Sequence, residues 1–259
     1  MKNDDEEKTT VRSLERGVTI LNYLAEDKGR PKGITEISKN INLAKGTVHR
    51  LITTLQKCGY VDKDYDEDKY HLGLKLMELG GIVKEALDIR KQAEPILKKL
   101  GEATKLTVHL ALLIDSEIVY IDKVESQTSI QMASYIGQRS YIHSTSLGKA
   151  ICAYLPEEET VRHLNVKGMP RLTDQTIITV EDFKEHLKEV RAKGYAVDEN
   201  ENEESIRCIA STIFDNSGKP IGAVSISGTV IQITRDKVEE MSIYVVNAAK
   251  EISKRMGYV

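Results

Sequence analysis

Apolar residues recur at intervals of three and four along the first sixty positions, and gather into short β-rich runs beyond residue 105. Val11, Leu14, Val18, Leu21 and Leu24 share one helical face, which predicts a first helix over 11–24. "EDKGRPKG" ends it, with Gly29, Pro31 and Gly33 as breakers. Ile34, Ile37 and Ile41 lie on one side of a short second helix in "ITEISKNI", and "NLA" is a tight connection into a third. In that third helix Val48, Leu51, Ile52 and Leu55 return at helical spacing. Two short strands, 60–63 and 69–72, then flank the polar tip "DYDED". Short helix, tight turn, longer helix and hairpin make the pattern of a winged helix-turn-helix.

Gly80 and Gly81 interrupt the next helical stretch and read as a hinge or boundary. Leu79, Ile82, Val83, Ala86, Leu87 and Ile89 continue one apolar face, suited either to packing inside the chain or to pairing subunits. "LTVHLALLIDSEIVYIDKVE" predicts a hairpin turning at Asp115-Ser116, and "SIQMASY" a further strand. A helix is expected to start near Ser146, because Leu147, Ala150, Ile151 and Tyr154 share a face. "TVEDFKEHLKEVRAKG" predicts another, capped by Thr179 and stopped by Gly194. "YAVDEN", "IRCIASTIFD" and "PIGAVSISGT" are three strand candidates, and a long helix over 234–256 closes the chain. The expected organisation is a disordered acidic tail over 1–9, a winged helix-turn-helix over 10–75, a linker helix over 76–92 and a domain over 93–259. The class is α+β, the second domain a mixed sheet flanked by helices.

Composition sharpens this picture. With 40% apolar and 30% charged residues, the 259-residue chain has material for a core. Its apolar runs are too short to cross a bilayer, and "MKNDDEEKTT" lacks the apolar core of a secretory signal. Cys58, Cys152 and Cys208 are scattered without a C-x-x-C pair, which fits a reducing cytoplasm. The net charge of −3 hides an asymmetry: residues 11–60 carry nine Lys and Arg against four Asp and Glu, a balance of +5, so the rest sums to −8. A basic module on an acidic body is the footprint of a DNA reader with a second function. Lys45, Thr47, His49 and Arg50 crowd the start of the third helix, where basic and hydroxyl side chains suit the major groove.

Catalytic patterns do not emerge from the second half. "TSLGKA" lacks the upstream Gly and the Ser or Thr of a phosphate-binding loop, and "AVSISG" is not a nucleophile elbow. No two histidines stand four apart, and no Cys/His group has zinc spacing. Convergence of His109, His143 and Cys208 on a metal is the weak alternative; no metal and no cofactor are expected. Cys208, among apolar residues of a strand, suits a small buried side chain. The remaining chemistry is binding. "STSLG" offers three hydroxyls and a helix start, Ser225 and Ser227 share a strand face, and Asp198 supplies an acceptor. No Lys or Arg lies within "STSL" or "AVSISG", and the chain has two Phe and no Trp. Such a site suits one small hydroxy- or keto-carboxylate, such as a sugar acid, better than a polyphosphate or a large planar ligand. Arg207 could meet a carboxylate only by turning inward, since alternation beside Cys208 puts it on the opposite face. The rival classes are an enzyme with an appended DNA-binding module and a ligand-independent architectural DNA binder.

Several local runs carry a resemblance. "VRSLERGVTILNYLAED", "GITEIS", "KGTVHRLITTL" and the closing "YHLG" of the hairpin are similar to the N-terminal domain of the IclR family of bacterial transcription regulators. "YIHSTSLGKA", "GYAVDENENEESIRCIASTIFD" and "AVSISG" resemble that family's effector domain, a GAF-like fold. The resemblance spans roughly residues 10–250. It implies a non-enzymatic regulator that binds double-stranded DNA at a palindromic operator, as a homodimer or homotetramer. The helix start with Gly46, together with Thr35 of the second helix, would face DNA, and Arg12 and Arg16 would hold phosphates. Positions matching Ser146, Leu147, Asp198, Cys208, Ser225 and Ser227 line the family's effector site. Repression of a catabolic operon is its more frequent mode and activation the alternative. The departures are Gly46, where the family commonly has a small hydroxyl residue or Pro, Ser205 at a frequent Gly, and Thr212 at a frequent Pro.

Overall fold

The computed structural model describes residues 11–64, 66–86, 88–126 and 132–258. The acidic tail expected over 1–9 lies outside the described residues. The chain divides into two compact units, Met1–Ala86 and Leu87–Val259.

The first unit contains α1 (Arg12–Gly29), α2 (Ile34–Asn40), α3 (Lys45–Lys57), a hairpin of β1 (Val61–Asp64) and β2 (Lys69–Leu72), and α4 (Lys75–Ala86). Ile20, Leu24, Ile37, Val48, Ile52, Val61 and Tyr70 form its core. The helices form where the apolar spacing expected them, but the first helix runs five residues further than its apolar stripe. That stripe also divides: Leu24 is buried, whereas Val11, Leu14 and Val18 are 64%, 67% and 47% exposed. Lys32 is fully buried, its Nζ donating to the Tyr23 carbonyl and lying over the Tyr23 ring at 4.1 Å. Gly73 is where the hairpin turns into α4; a Cβ there would collide with the backbone of Gly59, Tyr60 and Val61, so only glycine fits. Gly80 and Gly81 lie inside α4 and do not interrupt it. The expected linker span of 76–92 covers most of α4 and the start of α5 (Asp88–Thr104), which lie on either side of Leu87.

The second unit continues from α5 with β3 (Thr107–Ile114), β4 (Glu117–Val124), β5 (Arg139–Ser140), α6 (Ser146–Cys152), α7 (Glu157–Lys167), α8 (Val180–Lys193), β6 (Ala196–Glu199), β7 (Ile206–Phe214), β8 (Pro220–Thr229) and α9 (Val238–Arg255). The strand order is β5-β4-β3-β8-β7-β6. Every pairing is antiparallel, where a mixed sheet was expected; the α+β class stands. "SIQMASY" falls partly outside the described residues, and its part from 132 to 135 is not strand. Helix α7 has no counterpart in the apolar spacing; Pro156, three successive glutamates and Gly168 delimit it instead. Thr179 does cap α8, accepting from the Asp182 amide, and Gly194 ends it in the left-handed region.

The two faces of this sheet differ. On one, α5 and α9 cover Val108, Leu110, Ile209, Val224 and Ile226. On the other, α6 and α8 pack with Ala111, Ile118, Ala210 and Ala223. Small alanines in that second layer let α6 lie close. Gly148 is the tightest point: a Cβ there would strike the Ile142 backbone.

Candidate functional site

In the first unit the start of α3 forms an exposed cationic stripe. Val48 and Ile52 turn into the core, so Lys45, Gly46, His49 and Arg50 turn outward, with Thr47 half-buried. None of the Lys45, His49 and Arg50 side chains is tied to another described residue, so their donors are open to a ligand. Nothing lies within 4 Å of a Cβ built on Gly46, so the fold of this unit does not require glycine there. Arg12, Arg16 and Thr35 are exposed as well. Two other cations of the basic segment have structural work: Arg30 pairs with Glu36 at 2.6 Å, and Lys32 is buried. The wing tip is acidic, and its Lys63 and Lys69 pair with Asp68 and Glu67. Attraction to phosphate therefore lies on the helices of this unit rather than on the hairpin tip.

In the second unit the antiparallel register sets the expected effector residues in two neighbouring rows of one sheet face. Asp198, Cys208, Ser227 and Thr107 are successive cross-strand partners. The next row holds Ala196, Ala210, Ser225, His109 and Lys123. Leu147 and Ser146, both buried at the start of α6, belong to the layer above this face. The N-cap Thr145 accepts from the Gly148 amide, leaving Ser146 and Leu147 with the first-turn N–H groups that have no partner within the helix.

Two hydroxyls on these rows, Ser225 Oγ and Thr107 Oγ1, are buried without a hydrogen-bond partner among the described residues. Beside them His109 bridges two other hydroxyls, with Ser227 Oγ 3.3 Å from Nδ1 and Ser134 Oγ 2.7 Å from Nε2. Its ring lies 4.9 Å from that of Tyr120. Burial, and then the charge of Lys123, push the imidazole down to about 3, so it is neutral and a weak base. A hydroxyl beside an imidazole begins a nucleophile relay, but the other nitrogen meets a second hydroxyl where a relay needs an orienting carboxylate. Burial raises the Tyr120 phenol to about 12, and it raises the thiol of Cys208 too, which stays protonated although the residue is only half-buried where a buried side chain was expected.

Asp198 is less available than its sequence position suggests. Its Oδ1 accepts from the Glu201 amide at 2.7 Å and the Asn202 amide at 3.3 Å, so it caps the loop after β6. Burial raises its carboxyl to about 7 against the opposing charge of Lys149. That Lys149 is itself fully buried, donating to the Val197 carbonyl and paired with Glu201. Ser144 Oγ donates to Asn202, and Thr176 donates to the Glu201 carbonyl, so with Lys149 three segments anchor the loop that Asp198 caps.

Sequence patterns missed Lys149, Glu201, Lys123 and Thr107. The lack of cations in "STSL" and "AVSISG" does not describe the neighbourhood. Lys123 lies across from His109, its Nζ held by the carbonyls of Met132 and Ser134 and by Glu125. Arg207 does turn away, held by Glu199 and the Ile233 carbonyl. His143 is elsewhere, its Nε2 on the Pro170 carbonyl, and among the described residues no three His, Cys, Asp or Glu form a metal-holding group. No helix among them is long and apolar enough to cross a membrane.

Comparison with known proteins decides the class. Residues 13–64 match the family model described as the IclR helix-turn-helix domain, and residues 82–254 match that of the bacterial transcriptional regulator IclR C-terminal. The chain belongs to the IclR family of DNA-binding transcription regulators. Among its IclR relatives, the HTH-type transcriptional regulator KdgR of Escherichia coli K12 is 35% identical over 254 residues, covering 98% of this chain and 96% of that one. The Transcriptional repressor IclR of the same organism is 34% identical, covering 95% of this chain and 90% of the relative. The crystal structure of the Thermotoga maritima IclR is 36% identical with a TM-score of 0.77, covering 95% and 99% of the two chains. The second unit thus carries the C-terminal domain of a family of transcription regulators rather than of enzymes.

Proposed function

We propose that this IclR-family regulator represses a catabolic operon and is controlled by a small hydroxy- or keto-carboxylate, such as a sugar acid. The ligand would lie on the sheet face of Asp198, Cys208, Ser225 and Ser227, beneath Ser146 and Leu147. The observation that carries this is the pair of orphaned hydroxyls, Ser225 Oγ and Thr107 Oγ1, beside the Ser227–His109 bridge. A buried hydroxyl without a partner costs about 1–3 kcal/mol, which a ligand oxygen would recover. The Ser146 and Leu147 amides would take the carboxylate, and Asp198 Oδ2, which bonds no described residue, would accept from a ligand hydroxyl. Repression is supported by relatives that carry that word in their names, among them the Transcriptional repressor IclR.

On DNA, Lys45, Gly46, Thr47, His49 and Arg50 would enter the major groove, and Arg12, Arg16 and Thr35 would meet the backbone. One small winged helix reads too little sequence, so a homodimer or homotetramer on a palindromic operator follows. The exposed Val11, Leu14 and Val18 at the start of α1, with Leu74, Met77 and Ile82 at α4, supply apolar surface for that pairing. Such a protein works in the cytoplasm. Thermal unfolding of the full chain with a panel of hydroxy- and keto-carboxylates tests the reading, since a ligand of the native state raises its stability. A selective rise in wild type and its absence in Ser225→Ala/Ser227→Ala would support it. A rise of equal size in both would move the ligand elsewhere.

A further inference from the structure

A second cleft of about 840 Å³ opens at the other end of β7, sharing no residue with the effector rows. The end of α8, the end of β7 and the last turns of α9 enclose it, and it is within the size range of about 300–1,000 Å³ that holds small ligands. Its charge is one-sided: Arg191, Lys193, Lys250 and Lys254 line it, and among the described residues no Asp or Glu does. The chain as a whole has more acids than bases, 40 against 37, so this concentration runs against the overall balance.

Three of these cations lack a counter-charge. Lys193 pairs with Glu189, but the Lys250 and Lys254 side chains make no ion pair or hydrogen bond to another described residue. They sit one turn apart on α9, where like charges repel. Among the described residues Arg191 bonds through its Nε alone, to the Ala153 carbonyl, which leaves its terminal N–H fork open to a ligand. A dianionic phosphate answers such a set better than a carboxylate, because it can take the fork and two ammonium groups together. Three aromatic rings, Tyr154, Phe214 and Tyr258, stand elsewhere on its wall. Phe214 meets Tyr154 edge-on at 4.9 Å and stacks with Tyr258 at 5.2 Å, while Tyr258 stays 41% exposed. Its free face can stack a planar ring.

We infer that this cleft is a second ligand site, for a nucleoside phosphate, separate from the carboxylate site. The phosphate would lie among Arg191, Lys250 and Lys254, and the base against Tyr258. Isothermal titration of the full chain with AMP, adenosine and inorganic phosphate tests it, alongside Lys250→Glu/Lys254→Glu, whose exposed positions leave the core untouched. AMP should bind wild type more tightly than either fragment, and the double variant should lose affinity by about tenfold or more, as expected for removing charge-assisted bonds. Unchanged AMP affinity in the variant, or no AMP binding to wild type, would overturn the site. Phosphate binding as tightly as AMP would overturn the nucleoside part. Loss of duplex DNA binding without any AMP binding would make the cleft a nucleic-acid contact instead.

Discussion

Lys149 of α6 and Glu201 of the β6–β7 loop form an ion pair with almost no exposure on either side. The pair fixes α6 against the loop that Asp198 caps, so it holds the two sides of the candidate effector site together. Removing one partner leaves a buried charge alone, whereas removing both need not. Lys149→Met should therefore cost about 3–5 kcal/mol of stability in the second unit, and Lys149→Met/Glu201→Leu should regain most of it. Urea unfolding followed by circular dichroism reads both; a single variant within about 1 kcal/mol of wild type would show the pair to be dispensable.

Acid should act on His109 and Asp198 in opposite directions. The imidazole is held at about 3, below its ordinary value, so its contribution is lost as pH falls from about 6.5 towards 3. Asp198 is held at about 7, above its ordinary value, so its contribution is complete below about 4 and is lost as pH rises to 7. Between pH 4 and 6.5 the two offset each other. Asp198→Asn should lose stability more steeply than wild type on acidification through that window, and His109→Gln less steeply. Denaturant midpoints at half-unit steps of pH decide it; parallel profiles for all three proteins would contradict both assignments.

Arg50→Ala should weaken operator binding by about 1–3 kcal/mol if the guanidinium reads a base. A phosphate contact would instead weaken all duplexes alike and flatten the salt dependence. Gel shifts against specific and random duplexes separate these, and unchanged affinity for both would take Arg50 out of the interface. Charge-neutralising variants of the wing tip, such as Asp66→Asn, should not weaken DNA binding, because that tip carries net negative charge.

The exposed apolar stripe of α1 should pair chains. Light scattering is expected to give at least twice the 29.0 kDa chain mass, and Leu14→Glu/Val18→Glu should lower it. A wild-type mass of 29.0 kDa at micromolar concentration would remove the dimer.

Much of the fold was legible because its signals are local. The α3 stripe follows from Val48 and Ile52 alone, and the effector strands announce themselves by apolar runs and turns. Ser225 and Ser227 could be set on one face by alternation, but only the register reveals that Asp198, Cys208 and Thr107 share a row with Ser227. Lys149 was illegible for the same reason: Glu201 lies 52 residues away in the chain. Helix α7 escaped because, of its residues, only Thr160 and Leu164 are buried, too few to set a period.

In the proposed regulator, one sheet face would sense a carboxylate and the winged helix would report it. Selection of random duplexes by the full chain would supply an operator, expected to be palindromic, and fluorescence anisotropy on it would then follow release by hydroxy- and keto-carboxylates. Wild type should release the operator with a small subset of them, and Ser225→Ala/Ser227→Ala should bind it equally well but no longer respond. Release of the double variant at the same ligand concentration as wild type would contradict the account.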